Sequence, residues 1–201
     1  MPRMTPDKGG RWGLLGGVFD PPHIGHLVLA ERALMECDLE GILFLVSFDP
    51  PHRLHKPAAS FDDRLKMTKT ATGDNQSFQV SDLEKDICGP AYTILMVEKL
   101  AALYPGVTWS LILGADNLAQ FDSWHRPDDL IRMVRIIVGN RPGSDEKLAR
   151  SRWNDRVIKF KMPLLEISST EIRRSISRGR SVRYLIPEKV REYIEKKRLY
   201  R

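Results

Sequence analysis

Two stretches near opposite ends of the 201-residue chain hold the residues best suited to chemistry. The first, Gly16-Gly17-Val18-Phe19-Asp20-Pro21-Pro22-His23-Ile24-Gly25-His26, runs out of an apolar segment into helical spacing. Gly16 and Gly17 let backbone approach a ligand closely, and a helix N-terminus offers unpaired N–H groups and partial positive charge to an anion. His23 and His26, three positions apart, share one helix face and point two imidazoles at one spot. Phosphate binding is the chemistry this favours. It would not use the widespread phosphate loops, since neither Gly-x-Gly-x-x-Gly nor Gly-x-x-x-x-Gly-Lys-Ser/Thr is present. A zinc site would need further ligands at suitable spacing, which are lacking. Ordinary helix histidines with polar partners are the plain alternative.

The second stretch, Ile167-Ser168-Ser169-Thr170-Glu171-Ile172-Arg173, places hydroxyls at an expected helix start and an arginine one turn inside. Ser168 and Glu171 also have the spacing of a capping box, which needs no ligand at all.

Elements that would position both stretches are visible as an alternation. Short apolar runs bounded by turn residues predict strands over 12–16, 42–47, 109–114, 134–139, 78–81 and 157–161. Helical spacing predicts helices over 24–37, 61–71, 93–104, around Leu118, and then over 169–177 and 188–197, the last opened by Pro187. Residues 141–146 read as loop. The fold expected is α/β, a Rossmann-like doubly wound parallel sheet with a small helical C-terminal portion. Such sheets bind ligands at the carboxyl ends of their strands.

Composition narrows the setting. Residues 1–125 hold 11 basic and 16 acidic side chains, net −5, and residues 126–201 hold 21 and 10, net +11. The basic C-terminal region suits polyanions such as nucleotide phosphates or a nucleic-acid backbone, or is simply a solvated surface. Cys37 and Cys88 are too few and too far apart for a disulfide framework or zinc module, which fits a reducing compartment. The apolar stretch 12–19 contains three glycines and stops at Asp20, unlike a signal-peptide core. No run approaches the roughly 20 apolar residues of a transmembrane helix. One cytoplasmic domain over 1–201 is expected, with 1–10 a frayed tail and no membrane association.

The first stretch resembles the Gly-Gly-x-Phe-Asp-Pro-x-His-x-Gly-His signature of the nucleotidyltransferase superfamily. The second resembles its Ser-Ser-Thr-x-Ile-Arg motif, and the two occur in the family's order. The resemblance implies that His23, His26 and Arg173 are catalytic, the imidazoles contacting ATP phosphates and the guanidinium supplying positive charge. Its ATP-side set is Gly16, Gly17, Phe19, Asp20, His23, Gly25, His26, Gly114, Ile167, Ser168, Ser169, Thr170 and Arg173. Val18 stands where relatives often carry Thr or Ser, which leaves backbone N–H groups to do the binding there.

Between the motifs the resemblance narrows to the nicotinate mononucleotide adenylyltransferase family and spans roughly 12–200. Pro50-Pro51-His52-Arg53, Ala91-Tyr92-Thr93, Gly114-Ala115-Asp116 with Ser123-Trp124, Arg141-Pro142-Gly143 and Val182-Arg183-Tyr184-Leu185-Ile186-Pro187 carry it. It implies an acceptor site of Pro51, His52, Arg53, Thr93, Asp116, Trp124 and Arg141. Trp124 would stack on the pyridine ring and the Thr93 region would meet the nicotinate carboxylate. Asp116 would bond a ribose hydroxyl, and Arg53 or Arg141 the acceptor phosphate. Val46, Ser47 and Phe48 stand where relatives often have Pro or Gly, and Arg53 replaces a frequent Lys, so the loop after the second strand is expected to differ.

The activity implied is adenylyl transfer from ATP to nicotinate mononucleotide, yielding nicotinate adenine dinucleotide and pyrophosphate for NAD biosynthesis. Mg²⁺ would arrive with ATP and need no dedicated protein site, no nucleic acid is required, and a homo-oligomer is left open. A phosphopantetheine or nicotinamide mononucleotide adenylyltransferase would share the ATP half. An RNA-binding module is the alternative outside enzymes, but Trp153, Tyr184, Tyr193 and Tyr200 are scattered through the tail without forming a visible stacking platform.

Overall fold

Strands buried on both faces need continuous apolar runs, and these runs became the sheet. The computed structural model describes Pro6 and residues 9–48, 56–87, 89–140 and 151–201. Its strands are β1 (Gly10–Gly17), β2 (Gly41–Val46), β3 (Phe78–Ser81), β4 (Val107–Gly114), β5 (Arg135–Asn140) and β6 (Ile158–Lys161). The helices are α1 (Ile24–Glu36), α2 (Phe61–Thr72), α3 (Thr93–Leu103), α4 (Ala115–Ala119), α5 (Pro127–Met133), α6 (Ser169–Ser177) and α7 (Glu188–Lys197). Every strand pairing is parallel, in the order β3-β2-β1-β4-β5-β6. That is the doubly wound Rossmann-like order expected from the alternation, with α6 and α7 as its helical C-terminal portion.

Strand parity divides the core into two layers. Ile42, Phe44 and Val46 of β2 face α1 and α2, together with Ile112 and Ile137. Leu43 and Leu45 face the other way and join Trp12, Leu14, Leu111 and Leu113 under α3 and α5. A third cluster seats the C-terminal portion: Ile172, Val182, Ile186, Val190 and Ile194 bury against Met67 and Ala71 of α2. Among the described residues no helix is long and apolar enough to cross a membrane.

After β1 the chain winds to one side of the sheet through β2 and β3, then returns as β4 on the other side of β1. The connections diverge there, which leaves a crevice at the carboxyl ends of β1 and β4. Two expectations shift. β1 starts at Gly10, inside the stretch expected to fray, most of which lies outside the described residues, as does loop 141–146. Helix α5 escaped the periodicity because seven residues make barely two turns, although Pro127 at its start and Asp128 and Asp129 in its first turn are a helix-opening signal.

Candidate active site

The crevice is a cleft of about 710 Å³ at the switch point of the sheet. Gly16, Gly17 and Phe19 line it from β1 and its loop, Gly114 from β4, and Ser169 from α6. A Cβ at Gly17 would meet the Phe19 ring at 2.9 Å, and Phe19 itself takes a left-handed φ of 51°. A Cβ at Gly16 or Gly114 would meet nothing within 4 Å, so no protein group uses the space these glycines leave on the cleft wall.

His26 lines the cleft from the first turn of α1. Its Nδ1 accepts the backbone N–H of His23 at 3.2 Å, so the neutral ring carries its proton on Nε2. The His23 ring stacks on it at 3.7 Å and the Phe19 ring meets it edge-on at 5.0 Å. His23 is buried and is not among the lining residues, so of the two stacked imidazoles only that of His26 borders the cleft. Gly25 permits this, because a Cβ there would press on the His23 ring at 3.1 Å.

The distant second motif meets the first directly. The Ser169 hydroxyl donates to the Pro21 carbonyl at 2.9 Å, and Arg173 Nη1 donates to the Asp20 carbonyl at 2.8 Å. Ser168 Oγ accepts the Glu171 N–H at 3.2 Å as the helix N-cap, while the Glu171 carboxylate turns to Arg174 at 2.8 Å. Ser168 is therefore a cap, as its spacing allowed. Ile167, Ser168, Thr170 and Arg173 flank the cleft without being lining residues. Asp20 lines it, yet its carboxylate belongs to a buried residue, 2% exposed, and accepts Ala58 N–H at 2.8 Å, Ala59 N–H at 3.2 Å and the Tyr200 hydroxyl at 2.7 Å.

At the other end of the cleft stand Thr93, the first residue of α3, and half-buried Trp124, tilted against Phe121 at 5.2 Å. Beside them Tyr92 and His125 stack at 4.3 Å, a pair the sequence did not single out. Asp116 sits in the first turn of α4 but does not line the cleft, whereas Asn117 does. Pro51, His52, Arg53 and Arg141 lie outside the described residues. Trp153, counted above with the tail aromatics, is a core residue whose Nε1 donates to Asp122 at 2.9 Å.

Two charged residues escaped the sequence reading. Arg64 of α2, 1% exposed, donates Nη1 to the Val18 carbonyl at 2.8 Å and the Ser47 carbonyl at 2.7 Å, tying the ends of β1 and β2 together. Glu84, 6% exposed and lining the cleft, accepts the Phe48 N–H at 2.8 Å and the Ser47 hydroxyl at 3.4 Å. Burial pushes its carboxyl from 4.5 up to about 7, against the opposing pull of those two bonds and of Arg64. Between those values the folded state holds a proton that the unfolded chain has released, so folding stability falls as pH rises from 4.5 to 7. The full loss through this group is about 3 kcal/mol as an upper limit. Glu84→Gln is expected to flatten that part of the stability-versus-pH curve, read by urea unfolding at several pH values. An unchanged slope would show that Glu84 titrates normally.

A doubly wound sheet whose switch-point cleft joins an imidazole-bearing loop to a helix start defines an α/β nucleotide-binding protein. Residues 14–175 match the cytidylyltransferase-like family model. Over 188 residues the chain is 41% identical to the probable nicotinate-nucleotide adenylyltransferase of Exiguobacterium sibiricum, covering 94% of this chain and 97% of that one. It is 40% identical over 189 residues to the probable nicotinate-nucleotide adenylyltransferase of Salinibacter ruber, with the same coverage of 94% and 97%. The fold also matches the Plasmodium falciparum nicotinic acid mononucleotide adenylyltransferase complexed with NaAD, at a TM-score of 0.76 and 18% identity over 95% of this chain and 97% of that one. The chain belongs to the nicotinate-nucleotide adenylyltransferase family.

Proposed function

We propose that this chain, as one nucleotidyltransferase domain over 1–201 working in the cytoplasm, transfers AMP from MgATP to nicotinate mononucleotide. The observation that carries the reading is the junction of the two motifs. Arg173 and Ser169 bond the backbone of Asp20 and Pro21 at 2.8 and 2.9 Å, and Ser169 shares one cleft with His26, Thr93 and Trp124.

A phosphate oxygen of the acceptor attacks the α-phosphorus of ATP in line. A new P–O bond forms while the α–β bridging P–O bond breaks, its electron pair leaving with pyrophosphate. A phosphate monoester has a second pKa of about 6 and is largely dianionic at neutral pH, so no general base is required. The protein's task reduces to alignment and charge balance. His26 Nε2–H donates to phosphate oxygens, while Arg173 and the N-terminal ends of α1 and α6 balance their charge. Trp124 offers a face to the pyridinium ring, a cation–π contact of about 0.5–2 kcal/mol. The start of α3 at Thr93 is where the nicotinate carboxylate would be met.

Magnesium enters as part of the ATP substrate. Among the described residues no group of three or more His, Cys, Asp or Glu is placed to hold a metal ion, and Asp20 is already committed to protein donors. Phosphate oxygens and water suit an ion that dehydrates reluctantly.

The test is pyrophosphate release from MgATP with nicotinate mononucleotide, nicotinamide mononucleotide and phosphopantetheine in parallel. The acid mononucleotide is expected to give the highest kcat/KM. Faster turnover with phosphopantetheine would reassign the acceptor half of the site.

A further inference from the structure

The C-terminal portion reaches back across the molecule to the phosphate loop. Tyr200, 180 positions from Asp20, lays its partly buried ring on the cluster formed by α2, α6 and α7 and donates its hydroxyl to Asp20 Oδ1 at 2.7 Å. Ala59 N–H also reaches Oδ1, at 3.2 Å, and Ala58 N–H reaches Oδ2 at 2.8 Å. Arg173 Nη1 stands 3.8 Å from Oδ2 and bonds the Asp20 backbone carbonyl instead, at 2.8 Å. The guanidinium therefore rests on the loop's backbone, one step short of a closed ion pair with its carboxylate.

What holds that step open is the supply of other donors. A buried carboxylate that loses one donor draws in another, since an unsatisfied charged acceptor is costly to leave in the interior. The two backbone N–H groups are fixed by the chain, whereas Arg173, held by the Asp20 carbonyl and by Thr170 Oγ1 at 3.4 Å, can turn on its side chain toward Oδ2, and the carboxylate shares its charge between both oxygens. Closing from 3.8 Å to the 2.7–2.9 Å typical of a charge-assisted pair would turn its fork inward.

We propose that Tyr200 is a positioning residue for the ATP end of the cleft: by satisfying Asp20 Oδ1 it keeps the Arg173 guanidinium on the Asp20 carbonyl and beside Thr170 Oγ1, with the N–H groups not used in those two bonds directed to the triphosphate. The inference rests on the adenylyl-transfer reading and adds to it a tyrosine that no motif contains. It also assigns the Asp20 side chain to aligning Arg173.

Tyr200→Phe in the full chain tests this, because it keeps the ring that packs and removes only the hydroxyl. With each substrate varied in turn, kcat/KM for MgATP is expected to fall about tenfold while KM for nicotinate mononucleotide stays within about twofold. Tyr193→Phe is the control. The Tyr193 hydroxyl donates to Asp63 at 2.8 Å from the same C-terminal portion, so its loss should lower the melting temperature comparably and leave the ATP kinetics alone. In an Arg173→Ala background, Tyr200→Phe should have no further effect on ATP. Three results would overturn the inference: equal losses for both substrates, an ATP loss matched by Tyr193→Phe, or a tenfold loss that persists without Arg173. Absence of pyrophosphate release by the unaltered chain would instead be the failure of the functional reading itself.

Discussion

His26→Ala is expected to lower kcat about 10²–10³-fold at saturating MgATP and nicotinate mononucleotide, the usual cost of removing one donor aimed at developing charge. The expectation follows from where its ring sits. Nδ1 is occupied by the His23 N–H at 3.2 Å, so the ring is locked in orientation with Nε2–H as its other polar atom, and the residue lines the cleft. The same bond gives His26 a structural role at the start of α1, and its loss should cost about 1 kcal/mol of stability. The two roles separate with His26→Gln. Glutamine at the third helical position can return a side-chain acceptor to the N-cap N–H, as in a capping box, but offers no imidazole. Urea unfolding should show His26→Gln recovering most of the lost stability, while its kcat stays as low as that of the alanine variant. Recovery of rate together with stability would mean that His26 only caps the helix.

The architecture was legible because a parallel sheet leaves a coarse imprint: β2 is buried at all six positions and reads as an uninterrupted apolar run. Helices α6 and α7 fell on their expected bounds because Ser168 and Pro187 mark their starts. The turn from β1 into α1 was legible for a related reason. Close packing of Phe19 on Gly17 and of His23 against Gly25 constrains residue type within a few positions, so the local string carries the local geometry. Long-range contacts leave no such string. Arg64 occurs in a helix with Asp62, Asp63, Lys66 and Lys69 and looks like one more surface charge. Only folding brings it to carbonyls 46 and 17 positions away. Glu84 sits in a short charged turn, with Lys85 and Asp86 beside it, and is equally unremarked until β3 places it under the end of β2. Asp20 shows the limit within a motif: its identity was visible, but the inward direction of its carboxylate depended on Ala58, Ala59 and Tyr200.

Arg64→Met is expected to destabilise the fold by about 3–5 kcal/mol at pH 8, the range for breaking a buried charged contact by removing one partner. Methionine can fill much of the space under Phe61, but it donates nothing to the Val18 and Ser47 carbonyls, which Arg64 now serves at 2.8 and 2.7 Å. It also withdraws the positive charge that helps hold the Glu84 carboxyl down at about 7, so that carboxyl should rise further in the variant. The sign of the pH effect follows. Below pH 7 Glu84 is already protonated in the folded state and loses little when the guanidinium goes, whereas above pH 7 an ionised Glu84 is left buried without it. The destabilisation should therefore be larger at pH 8 than at pH 6, and Arg64→Met combined with Glu84→Gln should cost less than the two changes summed. A coupling of about 0.5–3 kcal/mol is expected for groups sharing one network. Because Arg64 joins the loops after β1 and β2, the surviving folded fraction should also bind both substrates more weakly, unlike the ATP-selective defect expected of Tyr200→Phe. Urea unfolding of the two single variants and the double variant at both pH values decides the matter: equal costs at pH 6 and pH 8 with strict additivity would uncouple Arg64 from Glu84 and leave its bonds to the Val18 and Ser47 carbonyls as its whole contribution, whereas a cost near zero at both pH values would reduce Arg64 to a space-filling residue.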